Sequence, residues 1–139
     1  MTELIERSAK ALAAAIRGRE VSAYEVVLAA IARIEAVNPQ LNAVVQTHFD
    51  AALAEAQRAD ERLRQGEIAG PLHGVPMTIK DSFDTADLIS TAGTKGRAAY
   101  VPAEDATVVA RLRAAGAILL GKTNTPEITL DSTTDNYVY

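Results

Sequence analysis

Three features of the sequence predict an α/β fold for these 139 residues. The first third is Ala-rich and patterned as helices. Two short apolar runs later in the chain, 75–80 and 117–123, are bounded by Gly and Pro and read as strands. Between them lie a long polar loop and a helix pattern, and strand, crossover, helix, strand is the grammar of at least partly parallel pairing. The chain has the length of one domain, enough to bury about 68–70% of the surface its unfolded form exposes. Residues 1–67 are expected to be mainly helical, and 68–139 to form the strand–loop–helix–strand segment, giving N-terminal helices followed by the first strands and helices of a mixed sheet.

The elements follow in order. Ile5, Ala9, Leu12 and Ile16 fall at helical spacing, with Gly18 at the stop position. Ser22 and Glu25 form an S-x-x-E capping box ahead of Val27, Ala30, Ile31 and Ile34, and the Asn38-Pro39 pair is expected to end that helix. "LNAVVQTHF" (41–49) has the β-branched run of a strand. "DAALAEAQRADERLRQG" (50–66) is an amphipathic helix begun by Asp50 and stopped by Gly66. "VPMTIK" (75–80) is the next strand, and "DSFDTADLISTAGTKGRAAYVP" (81–102) is a loop longer than a compact domain tolerates without a functional reason. Asp105 is expected to cap a helix burying Val108, Val109, Leu112 and Ala115. Gly116 closes it, and "AILLGKT" (117–123) is a buried strand.

Composition removes several function classes. A net charge of −4 argues against a nucleic-acid partner, because neutralising phosphates needs Lys and Arg clustered on one face. Arg58, Arg62, Arg64, Arg111 and Arg113 are interleaved with acids or lie on predicted helices, as solvated faces do. With no cysteine there is no disulfide, thiolate metal site or cysteine nucleophile, which fits a reducing compartment. His48 and His73 are too few for a His-rich metal site. The opening "MTELIERSAK" lacks the apolar core of a secretory signal, and no run approaches the ~20 apolar residues of a membrane-spanning helix. A cytoplasmic protein with no membrane partner is expected.

Residues 116–123, "GAILLGKT", match the phosphate-binding pattern G-x-x-x-x-G-K-[ST]. That mechanism needs a strand before the first Gly, a loop whose amides wrap phosphate, and a helix opening at Lys-Thr. Here a helix precedes Gly116 and the would-be loop is the core of a strand, so the match is rejected. Lys122 is then expected at the solvent end of that strand.

Lys80 raises a different question. In an extended segment Val75, Met77 and Ile79 face one way and Thr78 and Lys80 the other. Asp81 points away from its neighbour, so Lys80 stands at the carboxyl end of a strand, where ligand crevices form in open α/β sheets, with no assured counter-ion. A free lysine has a pKa of about 10.4 and is a poor base at neutral pH; burial lowers that value and makes a proton acceptor. The bland alternative is a lysine extending its amine into solvent.

"GPLHGVPMTIKDSFDT" (70–85), "STAGT" (90–94) and "DATVVARLRAAGAILLGKTNTPE" (105–127) together resemble the amidase-signature family of Ser-cisSer-Lys hydrolases. The three blocks occur in the family's order, and the resemblance runs from the N-terminal helices to the last residue. It implies the family's α/β/α fold and hydrolysis of linear amides, with no metal and no organic cofactor. Lys80 matches the family's catalytic lysine, a neutral base that relays a proton through a cis-peptide serine to the nucleophilic serine. Thr94 and Asn124 match positions flanking the site, with supporting hydrogen bonds implied. Thr129, Leu130 and Asp131 match the stretch that lines the acyl pocket. His73 is assigned no chemistry.

The resemblance also implies a Gly/Ser-rich block, carrying both serines and the oxyanion amides, after "TTDNYVY". The serines present are Ser8, Ser22, Ser82, Ser90 and Ser132, and none has that setting. Two expectations follow. The favoured one is the N-terminal part of an amidase, inactive alone, with an incomplete sheet that self-associates or needs the missing C-terminal portion. The other is a non-catalytic interaction module derived from an amidase. The substrate is expected to be a small-molecule amide. The acidic balance leans away from a tRNA-linked role, although a partner subunit can supply basic surface.

Overall fold

Ser8 interrupts the first predicted helix. In the computed structural model, which describes residues 2–139, α1 (Thr2–Ile5) ends before it and α2 (Ala9–Arg17) begins after it. The Ser8 side chain accepts a hydrogen bond from the Ala11 N–H, so a serine that fits the helical spacing serves instead as an N-cap. The chain stops at Gly18 as expected, and Arg19 takes the left-handed conformation, φ 59°.

The next helix, α3 (Ala23–Leu41), opens on the predicted capping box. Ser22 Oγ accepts from the Glu25 N–H, and the Glu25 carboxylate accepts from the Ser22 N–H at 2.9 Å. A second cap comes from α4 (Phe49–Arg64): Asp60 accepts the Ala23 N–H at 2.7 Å and the Tyr24 N–H at 3.0 Å. Two of the N–H groups that a helix start leaves unpaired are thus met by a carboxylate from another element.

Asn38-Pro39 does not end α3, contrary to expectation. Pro39 lies in the last turn and removes the bond to the Glu35 carbonyl, but both residues are exposed and water replaces it. Asn42, in the left-handed conformation at φ 48°, makes the actual stop. Asn38 instead pins the start of the first strand, donating to the Val44 carbonyl and accepting the Val44 N–H, each at 2.8 Å. That strand, β1 (Val44–Thr47), is shorter than predicted because α3 takes residue 41 and α4 begins at Phe49. His48 precedes α4 without a side-chain cap bond, and Gly66 turns the chain away at φ 84°.

The strands β2 (Pro76–Lys80) and β3 (Ile118–Thr123) pair in parallel, β1 pairs with β3 antiparallel, and the order is β1–β3–β2. The mixed sheet is as predicted, with β1 and β2 at its edges. One face packs Ile118 and Leu120 against Leu12, Ile16, Val26 and Val27 of the helical layer. The other packs Ile79 and Leu119 against Val109 of α5 (Thr107–Ala114), with Met77, Leu88 and Leu112 at the rim. Each fully buried Val or Ile contributes about 1.5–3 kcal/mol, so the helical layer anchors the sheet.

Two details of α5 differ from expectation. Asp105 does not cap it: its carboxylate accepts the Ala86 N–H at 2.8 Å and faces Arg113 at 3.5 Å, tying the long loop to the helix. Val108 is exposed while Val109 is buried, because so short a helix touches the sheet along one narrow line.

Candidate active site

Lys80 is the last residue of β2, on the edge of the sheet. Met77 and Ile79 pack into the second core, leaving Thr78 and Lys80 exposed on the opposite face, as strict alternation requires. Among the described residues the Lys80 ammonium finds no ion pair or side-chain hydrogen bond. Its backbone is held firmly: the Phe83 N–H donates to the Lys80 carbonyl at 3.0 Å, and the Asp81 N–H donates to the Thr123 carbonyl at 2.8 Å.

Lys122 is not at the solvent end of its strand. It is completely buried, and the cause is a bulge. Met77 pairs with Leu119, but Thr78 pairs with Gly121, so Leu120 is an extra residue in the ladder. Without the bulge Lys122 would stand opposite Lys80 on the exposed face; with it, Lys122 pairs with Ile79 and turns inward. Only glycine fits at 121, because a Cβ there would lie 2.1 Å from the Gln46 carbonyl oxygen of β1.

The Lys122 ammonium has three donors and meets three acceptors. It donates to Ser90 Oγ at 2.7 Å and to the Phe83 carbonyl at 2.9 Å, and faces Asp81 Oδ1 at 3.3 Å. Burial holds the Lys122 amine below its ordinary lysine value, and the Asp81 carboxylate opposes that shift. The other oxygen, Asp81 Oδ2, accepts from the Thr91 N–H at 3.1 Å, the Thr91 hydroxyl at 2.5 Å and the Tyr139 hydroxyl at 3.2 Å. Thr91 Oγ1 also accepts the Gly93 N–H at 2.9 Å. A serine 2.7 Å from a lysine is the spacing of a nucleophile and its base, but Ser90 is wholly buried. Its Oγ also accepts the Thr85 N–H, so it is not open to a substrate.

The remaining residues singled out from sequence gather at the same end of the sheet without touching Lys80. Asn124 follows Thr123, the register partner of Lys80. Its side chain donates to the Asn42 carbonyl and accepts from the Asn136 amide, tying α3 and the C-terminal segment to β3. Thr94 is half-buried and begins a single 3-10 turn, Lys95–Arg97, without a side-chain cap bond. Gly93 beside it packs against the backbone of 125–127, bringing the "STAGT" and "NTPE" blocks together. Thr129, Leu130 and Asp131 are exposed, Leu130 by 84%. Asp131 accepts the N–H groups of Ser132 and Thr133, and these bonds, with that from Thr133 foremost, hold its carboxyl below the usual range. His73 is buried: Nδ1 accepts the Ala69 N–H and Nε2 lies 3.1 Å from the Ala59 carbonyl, a structural role.

Sequence reasoning missed Asp81, Ser90, Thr91 and Lys122 as a unit. The one signal for them was a glycine inside a strand pattern, which marks a bulge or a close backbone approach. Among the described residues no group of three or more His, Asp or Glu could hold a metal ion, and no helix is long and apolar enough to cross a membrane.

Comparison with known proteins gives a consistent result. The family model described as Amidase matches residues 25–139. A glutamyl-tRNA(Gln) amidotransferase chain of Acidothermus cellulolyticus, one of the subunits of that enzyme, is 45% identical over 139 residues, which are 100% of this chain and 28% of that protein. Among solved structures, a fatty acid amide hydrolase superimposes with a TM-score of 0.93 at 25% identity, covering 99% of this chain and 24% of the other. The native peptide amidase of Stenotrophomonas maltophilia gives 0.80 at 38% identity, covering 88% and 25%. The chain thus spans roughly a quarter of the length of the relatives it matches, 28% of the first and 24% and 25% of the two structures.

Proposed function

Because the chain belongs to the amidase family, we propose that it supplies Lys80 as the general base of an amide-bond hydrolase, within the N-terminal part of an amidase catalytic domain. The observation that carries this reading is the placement of Lys80: a cation without a partner among the described residues, at the carboxyl end of an edge strand, on backbone bonded to Phe83 and, through Asp81, to Thr123. The unpaired edge of β2 offers its N–H and C=O groups to a further segment, and a segment that covers a lysine favours its neutral, proton-accepting form.

In the reaction, the neutral amine takes the proton of a bridging serine, which takes that of the nucleophilic serine. The freed oxygen attacks the amide carbonyl carbon, and backbone N–H groups stabilise the resulting oxyanion. The C–N bond then breaks as the proton returns to the leaving nitrogen, and water hydrolyses the acyl-enzyme. None of the serines with a described setting is free for these roles beside Lys80. Ser8 and Ser22 cap helices, Ser90 is buried on Lys122, and Ser132 sits in the turn at Asp131. Both hydroxyls are therefore supplied from outside residues 1–139, and this stretch alone is catalytically silent.

Thr94 and Asn124 support the base's end of the sheet, and Thr129–Asp131 face the acyl side of the substrate. The exposed Ile128, Leu130 and Tyr137 support a cover over this end, formed by the serine-bearing segment or by a second copy. The substrate is a small amide in the cytoplasm. Similarity to an amidotransferase chain favours a primary amide that releases ammonia.

The test is ammonia release by the full-length polypeptide from glutamine, acetamide and benzamide, with and without Lys80→Ala. Loss of a general base costs about 10²–10⁴-fold, and a fall in that range is expected. A parent protein that hydrolyses none of a broad amide panel would favour the non-catalytic interaction module instead.

A further inference from the structure

Lys80 is held by a turn, and that turn is held by a buried charge. The Phe83 N–H closes residues 80–83 onto the Lys80 carbonyl, and the Phe83 carbonyl in turn accepts from Lys122 Nζ at 2.9 Å. One residue after Lys80, Asp81 bonds to β3 through its own N–H and to the returning loop through its carbonyl, which accepts the Ala92 N–H at 3.1 Å. Its carboxylate faces Lys122 on one oxygen and Thr91 on the other. Lys122 thus reaches both ends of the turn that carries Lys80, from a position that exists only because of the bulge at Gly121. A full charge pair with 0% exposure on both side chains is weak evidence for stability, since apolar residues of similar volume commonly serve as well. It does fix direction: an ammonium and a carboxylate accept few alternative geometries, and catalysis is sensitive to displacements of about 1 Å.

We infer that the buried Lys122–Asp81 pair, with Ser90 and Thr91, positions Lys80, setting where its amine stands relative to the serine it deprotonates. The inference rests on the reading of Lys80 as the base. Lys122 and Asp81 are positioning residues that touch no substrate.

The experiment compares four forms of the full-length polypeptide with the parent, on a primary amide it hydrolyses. Lys80→Ala tests the underlying reading alone: unchanged kcat there removes the base and this inference with it. The double variant Asp81→Asn/Lys122→Met removes both charges together, so neither is left buried and uncompensated. Ser90→Ala removes one acceptor and no charge, and serves where the double variant does not fold. Lys122→Arg keeps the charge with a different reach.

The expected result is kcat lower by about 10–100-fold in the double variant and about 3–10-fold in Ser90→Ala. KM should stay within about twofold, the pH–kcat profile should be displaced, and the unfolding midpoint of Ser90→Ala should remain near the parent's. Lys122→Arg should recover part of the loss. A folded double variant or Ser90→Ala protein with parental kcat and pH profile, beside an inactive Lys80→Ala, would overturn the positioning role and leave the base intact.

Discussion

Replacing Gly121 by alanine perturbs the point on which the inward turn of Lys122 depends. A Cβ at 121 would stand 2.1 Å from the Gln46 carbonyl oxygen and 3.2 Å from the Thr47 Cα, all backbone of β1. Relief needs a retreat of roughly 1 Å by that strand, because a packed interior has no slack to absorb the overlap and overpacking of this kind costs about 1–3 kcal/mol or more. The bonds stretched by the retreat flank the same spot: the His48 N–H to the Leu120 carbonyl and the Asn124 N–H to the Ala43 carbonyl, both 2.8 Å. At about 0.5–1.5 kcal/mol each, their weakening brings the expected loss to about 3–5 kcal/mol. Urea unfolding followed by circular dichroism measures it as a fall in midpoint at constant slope. A Gly121→Ala protein within about 1 kcal/mol of the parent, the median effect of an arbitrary substitution, would refute the steric argument and with it the account of why Lys122 is buried.

Other predictions concern the helical layer. Asp60→Ala should cost about 2–4 kcal/mol, since two hydrogen bonds to an ionised acceptor are lost and two N–H groups at the start of α3 are orphaned; Asp60→Asn, which keeps one acceptor oxygen, should lose about half as much in the same urea assay. Ser22→Ala should cost about 1 kcal/mol through the capping box, read by thermal unfolding. Hydrogen bonds from Ser22 hold the Glu25 carboxyl below its ordinary value. Its stabilising contribution is therefore present above the ordinary glutamate pKa of about 4.3 and is lost as pH falls through the lowered folded value. The stability gap between the parent and Glu25→Gln should close on acidification, and a gap that widens would contradict the capping geometry.

The sequence made legible what depends on local periodicity and local chemistry. The capping box at Ser22 and Glu25 needs only four residues, and the exposure of Lys80 follows from counting along a five-residue strand. The mixed sheet followed from a helix standing between two strands. What it hid depends on three-dimensional company. Pro39 ends a helix on average, but here the carbonyl it frees meets water. Asp105 has the chemistry of a cap, yet the loop at Ala86 and Arg113 claim it. Lys122 was misplaced because alternation was carried through a bulge, and one extra residue reverses the face of everything after it. The base was thus visible in the strand pattern and family motif, while the buried pair beneath it was not.

The most direct test of the central claim is chemical rescue of Lys80→Ala in the full-length polypeptide by added primary amines. The account predicts that activity falls by about 10²–10⁴-fold and returns in proportion to the free-base amine, with more basic amines more effective. A Lys80→Ala protein that hydrolyses amides at the parent rate, with no response to amine, would contradict it.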